Sequence, residues 1–386
     1  MPGKLYSTAE TKERAVLVGV EIKIGNAGWP IEDSIAELAS LADTADVEVV
    51  GEMMQRLDRP SPTSYLGKGK LEELVALRGE TGYDVAIFDD ELSPRQQSNL
   101  EEALQVKVID RTALILDIFA RHARTREGQL QVDLAQSEYL LPRLAGQWSH
   151  LERLGAGIGT RGPGETQLET DRRLIERRIQ RLKREIDAVR KHRALYRKRR
   201  KRGGVPMVSL VGYTNAGKST LLNTLGKADV LVEDKLFSTL DPVTRRITLP
   251  NQRPILLSDT VGFIHKLPPT VVAAFRATLE ELEEADLLLH VVDITHKNAA
   301  EQCQTVEDIL RDLNLGHKPR LTLLNKMDLL GSDGAGEGPL TRQFSLSSEG
   351  EGMLAVSAAK GWGMDKLLEA VAGMLEGHGG APAAGT

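Results

Sequence analysis

Gly212-Tyr213-Thr214-Asn215-Ala216-Gly217-Lys218-Ser219 matches G-x-x-x-x-G-K-[ST] at every fixed position. The apolar run Met207 to Val211 precedes it and the helix-like stretch Thr220 to Leu225 follows, so the match falls in a strand-to-helix context. Two glycines let the backbone curl until successive N–H groups point inward at phosphate oxygens, and the following helix adds its positive end. Lys218 can then reach the β and γ phosphates. The Ser219 hydroxyl is placed to ligate a Mg²⁺ ion bridging them. An ordinary glycine-rich turn would not need four fixed identities together with both flanking elements.

Further strands are expected at Arg246 to Leu249, Ile255 to Ser258, Leu287 to Val292, Arg320 to Leu324 and Met353 to Val356. With Met207 to Val211 they predict a doubly wound six-stranded sheet. Asp259-Thr260-Val261-Gly262 ends one of these strands, where the Asp can hold the Mg²⁺ shell and the Gly262 amide can face the γ phosphate. Asn325-Lys326-Met327-Asp328 fits N-K-x-D and points to guanine: Asp328 accepts from N1–H and the exocyclic amine, while Asn325 ties its loop to the phosphate loop. Adenine lacks those donors, so buried polar groups left unpaired would reject it by roughly 10⁴ to 10⁵. Ser357-Ala358-Ala359-Lys360 follows the last strand, in position to offer amides to the guanine carbonyl.

Between Thr220 and Asp259 lies Phe237-Ser238-Thr239-Leu240-Asp241-Pro242, a candidate switch. Thr239 is the expected second Mg²⁺ ligand, with Thr244 as the alternative. The catalytic set is Lys218, Thr239 and Gly262. Phe263 stands after Gly262, where Ras-like enzymes carry the glutamine that orients water, which predicts slow intrinsic hydrolysis.

Upstream, strand-like and helical runs alternate from Arg14 to Ala123 and predict a four-stranded parallel sheet. The connection Pro60 to Lys70, with two prolines and Gly67-Lys68-Gly69, reads as a mobile basic loop. Apolar stripes at Leu134, Leu141 and Trp148, and at Leu168, Ile175, Ile179, Leu182, Ile186 and Val189, predict two helices packed as an antiparallel hairpin. The tip holds Gly155, Gly157, Gly159, Gly162 and Gly164. Its G-x-G-x-x-G follows a helix rather than a strand, so a dinucleotide site is excluded.

The 386 residues carry a net charge of −5. Asp171 to Arg202 alone holds 16 Lys or Arg against four acids, a balance of +12, which leaves −17 elsewhere. One basic helix on an acidic chain suggests a polyanionic partner such as RNA. The single cysteine, Cys303, excludes an internal disulfide and reads as a buried helix residue. No apolar run of membrane-spanning length and no signal peptide is present, so the chain is expected in the cytoplasm.

These motifs, with G-Y-T-N-A-G-K-S-T, F-S-T-L-D-P, D-T-V-G-F and the stretch G-x-G-x-x-G-P-G-E-T-Q-L-E-T-D-R-R, resemble the HflX-type ribosome-associated GTPases over about Arg14 to Leu375. The resemblance implies an α/β chain in parts: an N-terminal α/β domain (1–125), a helical hairpin (126–203), a P-loop GTPase domain (204–376) and a short tail (377–386). It implies GTP hydrolysis with Mg²⁺ on Ser219 and Thr239, and phosphates on Gly212 to Lys218, with Ser219 and Thr220 also in the nucleotide-binding set. It further implies a partner in the large (50S) ribosomal subunit and its rRNA, action as a monomer, and splitting or rescue of stalled or idle ribosomes under stress. A ribosome-assembly GTPase, an ATP-driven RNA remodeller and a constitutive RNA-binding protein with a vestigial site are the alternatives. The Gly/Ala tail after Leu375 departs from relatives that carry a further small C-terminal domain.

Overall fold

A computed structural model describes residues 12–23, 29–144, 163–202, 204–226, 236–237, 240–268, 271–272, 282–330 and 352–378. The chain divides into two compact units, one of residues 1–118 and 139–175, the other of 119–138 and 176–386.

In the first unit, β1 (Arg14–Ile22), α1 (Ile31–Thr44), β2 (Glu48–Leu57), α2 (Lys68–Thr81), β3 (Val85–Phe88), α3 (Pro94–Leu104), β4 (Lys107–Asp110) and α4 (Arg111–His122) alternate, with α4 running on into the second unit. The strands pair in the order β2-β1-β3-β4, all parallel, as the alternation predicts. β3 reads Val-Ala-Ile-Phe and is buried along its whole length, because helices cover both faces of a parallel sheet. α3 starts cleanly: Ser93 accepts from Gln96 N–H while Gln96 caps the Ser93 amide, with Pro94 in the first turn.

The connection before α2 differs from the expected mobile loop. Ser61 and Tyr65 exchange two backbone hydrogen bonds, Gln96 and Asn99 donate to the carbonyls of Ser61 and Thr63, and Gly67 N–H donates to Gln55. Tyr65 and Leu66 enter the core with Phe88 and Leu100. Two buried apolar side chains, each contributing roughly 1.5–3 kcal/mol, outweigh the freedom that proline and glycine content suggests.

α5 (Arg126–Leu140) turns Val132, Ala135 and Tyr139 inward, and Leu134 is only half-buried. The series through Leu141 does not continue as α-helix: Pro142 disfavours helical backbone before it, and Leu141–Arg143 form a 3₁₀ turn. Trp148 and the glycine-rich tip lie outside the described residues, as does the side chain of Leu168. α6 (Pro163–Arg202) buries Ile179, Leu182 and Ile186, the middle of its expected stripe. Within the second unit α5 and α6 are linked by Arg178–Asp133 at 3.1 Å, Lys183–Glu138 at 2.8 Å and Arg126–Glu185 at 3.7 Å. These pairs are partly exposed, each worth about 0–1 kcal/mol, so the buried stripe contributes more.

The second unit's sheet contains β5 (Met207–Gly212), β6 (Val243–Thr248), β7 (Pro254–Asp259), β8 (Leu287–Asp293), β9 (Arg320–Asn325) and β10 (Met353–Ala355). Their order is β10-β9-β8-β5-β7-β6, with only β6 antiparallel. α7 (Lys218–Gly226), α8 (Ala299–Asp312) and α9 (Met364–His378) complete its described regular elements. Leu210, Leu221, Leu257, Leu289, Leu323 and Leu367 lie in one core spanning sheet and helices. Cys303 on α8 is half-buried rather than buried, packed beside Val292 and Leu324. Among the described residues no helix is long and apolar enough to cross a membrane.

Candidate nucleotide site

The expected phosphate loop closes between β5 and α7. Gly212 has φ +154° and Gly217 φ +94°; a Cβ on Gly212 would lie 2.3 Å from the Val291 carbonyl oxygen. Asn215 also adopts positive φ, 60°, which its short polar side chain tolerates. Tyr213 and Ala216 are buried, and Thr220 is half-buried in the first turn of α7.

Lys218 is buried beneath this loop, with Nζ donating to the carbonyls of Tyr213 (2.7 Å) and Gly212 (3.2 Å). Burial pushes its ammonium group down to about 8, against the opposing pull of Asp259. A buried cation held by carbonyl oxygens gains strongly from an anion placed above it. Ser219 Oγ donates to Asp259 Oδ2 at 2.6 Å, joining the first turn of α7 to the end of β7. A hydroxyl and a carboxylate at that separation are hard oxygen donors, a set that fits Mg²⁺.

After Asp259 the backbone locks onto the loop. Thr260 Oγ1 donates to the Leu210 carbonyl, Phe263 N–H to Gly212 O and Thr214 N–H to Phe263 O. Val261 is buried, and a Cβ on Gly262 would fall 2.7 Å from Thr214 Cα and 3.0 Å from Lys218 Nζ, so only glycine permits this approach. Phe263 is itself buried and offers no polar group to a water molecule.

At the other end, Asn325 is the joint between loops. Its Nδ2 donates to Ala216 O at 2.8 Å and its Oδ1 accepts from Ala358 N–H at 3.0 Å. Asp328, in the short 3₁₀ turn Met327–Leu329, accepts from Ser357 Oγ at 2.6 Å. Lys326 has φ +66° and pairs with Asp293 at 2.6 Å. Ser357 Oγ also accepts from Lys360 N–H, which closes the turn that carries Ala358 and Ala359. The four expected segments therefore meet along the carboxyl ends of β5, β7 and β9 and the segment after β10. Asp293 was not anticipated: its partnership with Lys326 joins β8 to β9, and no local pattern reveals it.

The switch candidate is described only in part, since Ser238 and Thr239 lie outside the described residues. Phe237 N–H donates to Thr214 Oγ1 at 3.1 Å, and Leu240 is buried. Thr244 sits on β6 with its hydroxyl 3.2 Å from Ser258 Oγ. Asp241, expected in the nucleotide-binding set as part of the switch stretch, accepts hydrogen bonds from Arg124 N–H, Thr125 N–H and Thr125 Oγ1. Both oxygens are taken up at the start of α5 because backbone donors there have no helical partner.

Residues 32–120 match the family model for the GTP-binding GTPase N-terminal region, 122–200 that for the GTP-binding GTPase middle region, and 207–326 that for the 50S ribosome-binding GTPase. GTPase HflX of Alkalihalophilus pseudofirmus is 54% identical over 82% of this chain and 74% of its own length. The chain belongs to the HflX family of GTPases. GTPase HflX of Escherichia coli K12 is 45% identical over 84% of this chain and 76% of its own. In structure, the SsGBP–GDP complex aligns with a TM-score of 0.50 and 26% identity, over 95% of this chain and 99% of that one. The protein is thus a GTPase of the ribosome-associated class, hydrolysing GTP to GDP and phosphate.

Proposed function

We propose that this GTPase binds Mg²⁺·GTP in the cradle just described and acts in the cytoplasm on the large ribosomal subunit, separating or rescuing stalled or idle ribosomes as a monomer. Gly212 to Thr220 would hold the phosphates, Asn325, Lys326, Met327 and Asp328 with Ser357 to Ala359 the guanine, and Ser219 with Thr239 the metal. Mg²⁺, when bound, neutralises charge developing on the transferred phosphoryl group. The chain's own part is positional: Lys218 presents a cation from below the loop, and Gly262 brings an amide close to it.

The observation that carries guanine choice is the Ser357–Asp328 hydrogen bond, which fixes a carboxylate at the far end of a cradle whose near end Asn325 secures. The ribosomal target rests on the name of the matching 50S ribosome-binding family and on the +12 balance of Asp171 to Arg202. Basic helices gain affinity for rRNA by releasing counterions. Because Phe263 replaces a water-orienting glutamine, free-enzyme turnover is expected on the order of 10⁻⁴ to 10⁻² per second and to rise on the ribosome. Sedimentation with ribosomes and separated subunits, comparing a non-hydrolysable GTP analogue with GDP, tests the reading. Co-sedimentation with the large subunit only in the GTP-like state supports it, and equal binding in both states refutes a nucleotide-driven factor.

A further inference from the structure

β8 and β9 run parallel with Asp293 in register against Asn325, so the strand ends set Asp293 beside the residue that opens the N-K-x-D turn. Lys326 enters that turn with φ +66° and ψ +30°, a left-handed backbone that lysine keeps only where its surroundings hold it. Two carboxylates flank its ammonium group: Asp293 at the end of β8, and Asp328 two residues further along the chain. Lys326 Nζ takes Asp293, at 2.6 Å from Oδ2. Asp293 is already oriented to receive it, because Oδ1 accepts from Thr295 N–H at 3.0 Å and from Thr295 Oγ1 at 2.6 Å. The Lys326 and Asp293 side chains are only 25% and 13% exposed, so the pair is screened less than one on the open surface. Asp328, by contrast, accepts on Oδ1 from Ser357 Oγ, and its Oδ2 has no partner among the described residues.

We propose that Asp293 is a positioning residue that determines base specificity: it draws the Lys326 ammonium away from Asp328 and so leaves that carboxylate open to guanine. The inference rests on the reading of Asp328 as acceptor for the guanine N1–H and exocyclic amine. A carboxylate forms strong charge-assisted hydrogen bonds with an ammonium as well as with the base, and Lys326 lies within the same turn. A second carboxylate, fixed in advance by Thr295, decides that competition before the nucleotide arrives. Selection of guanine thereby depends on β8, which carries none of the fixed residues of the nucleotide motifs.

Asp293→Asn is the decisive variant, because it removes the charge yet keeps an oxygen for Thr295. Calorimetric titration of the full chain with GDP and with inosine diphosphate, which lacks the exocyclic amine, reads the result. GDP affinity should fall about tenfold and inosine diphosphate affinity about threefold, so that the preference between them narrows about threefold. Adding Lys326→Met should widen the preference again, since the competing ammonium is gone while an apolar stem remains. A merely structural tie would behave otherwise: the two affinities would fall together, and the second substitution would deepen the loss. That pattern, or an unchanged GDP affinity in Asp293→Asn, overturns the proposal. Asp328→Asn is measured in parallel to separate the inference from the reading beneath it. If Asp328→Asn leaves the preference for GDP intact, Asp328 is not the base acceptor and the guanine reading falls together with the proposal. If it abolishes the preference while Asp293→Asn leaves it unchanged, that reading stands and only the role of Asp293 is lost.

Discussion

Asp89 and Asp110 stand at the carboxyl ends of β3 and β4 in the first unit, as Asp259 and Asn325 do for β7 and β9 in the second. In the first unit the charges are spent on one another. Arg111 is fully buried with its guanidinium on Asp89 at 2.6 Å and Glu37 at 2.7 Å, and Ser34 Oγ donates to the remaining Asp89 oxygen. The two carboxylates hold its proton more firmly than usual although burial opposes them. Arg143 lies 3.6 Å over the Tyr139 ring and bonds Asp110, Gln97 and the Leu92 carbonyl, while Tyr139 donates to Asp110. In the second unit Lys218 is buried too, but its hydrogen bonds run to carbonyl oxygens and its ammonium is pushed down to about 8. Acids and bases at the ends of parallel strands mark a binding site when an ion is left for a ligand to complete. They mark a structural joint when the ions complete each other.

The sharpest way to break this contrast is Arg111→Met, which would leave Asp89 and Glu37 buried without their cation. The expected cost is about 3–5 kcal/mol, read as a lowered midpoint of the first transition in urea, with GDP affinity of the still-folded protein unchanged. A cost below about 1 kcal/mol would show the cluster to be open to water after all.

Asp328→Asn attacks the other side. It should lower GTP affinity about a hundredfold or more by removing charged acceptors, and shift preference to xanthosine triphosphate, whose 2-oxo group accepts from the new amide. Stability should hardly change. Unaltered GTP affinity would remove Asp328 from the base site.

Ser357→Ala is gentler, because the carboxylate remains and only its tether is lost. Without the 2.6 Å hydrogen bond Asp328 should be less well oriented, and GTP affinity should fall about fivefold, the equivalent of about 1 kcal/mol. Isothermal titration of both variants separates the charge from its placement.

The smallest effect concerns a half-buried carboxylate in the second unit, Glu307 on α8. Burial alone would raise the Glu307 carboxyl, but the His290 ring 3.6 Å away and Arg320 at 2.9 Å hold it below the usual carboxylate range. A depressed folded value contributes stability that is present above the ordinary carboxylate range and is lost as pH falls through the folded value. Glu307→Gln should therefore lower stability at neutral pH by roughly 1 kcal/mol or less and flatten its decline below about pH 4. Parallel urea titrations at neutral and acid pH check this; equal pH slopes in both proteins would exclude Glu307 as a source of the acid sensitivity.

The cradle proposed for the nucleotide was legible in the chain because its geometry is local. Gly212, Gly217 and Lys218 lie within seven consecutive residues, and their backbone angles and side-chain reach follow from that spacing. Asp259, Asn325 and Ser357 could be placed because each follows an apolar strand, and parallel strands bring their carboxyl ends to one edge. The same reasoning does not reach a side chain whose partner lies far away in the sequence. Only the fold sets Asp241 on Thr125, 116 residues earlier. Tyr65 and Leu66 looked like members of a solvated loop until the core of the first unit took them in.

The sequence by itself determined the alternation of strands and helices, the number of strands in each sheet and the tight glycine-bearing loop after β5, since each is written in short-range periodicity or in residues whose backbone geometry has few solutions. Tertiary structure decided which charges are sealed and which are offered. Arg111, just after β4, Arg143, in the 3₁₀ turn after α5, and Lys218, at the start of α7, are all buried cations; the glycine pattern singles out Lys218, but no local pattern tells how each charge is balanced. The difference lies in what faces each one across the fold, carboxylates for the arginines and carbonyl oxygens for the lysine, and the cost of burying a charge depends on that facing partner rather than on the chain that carries it.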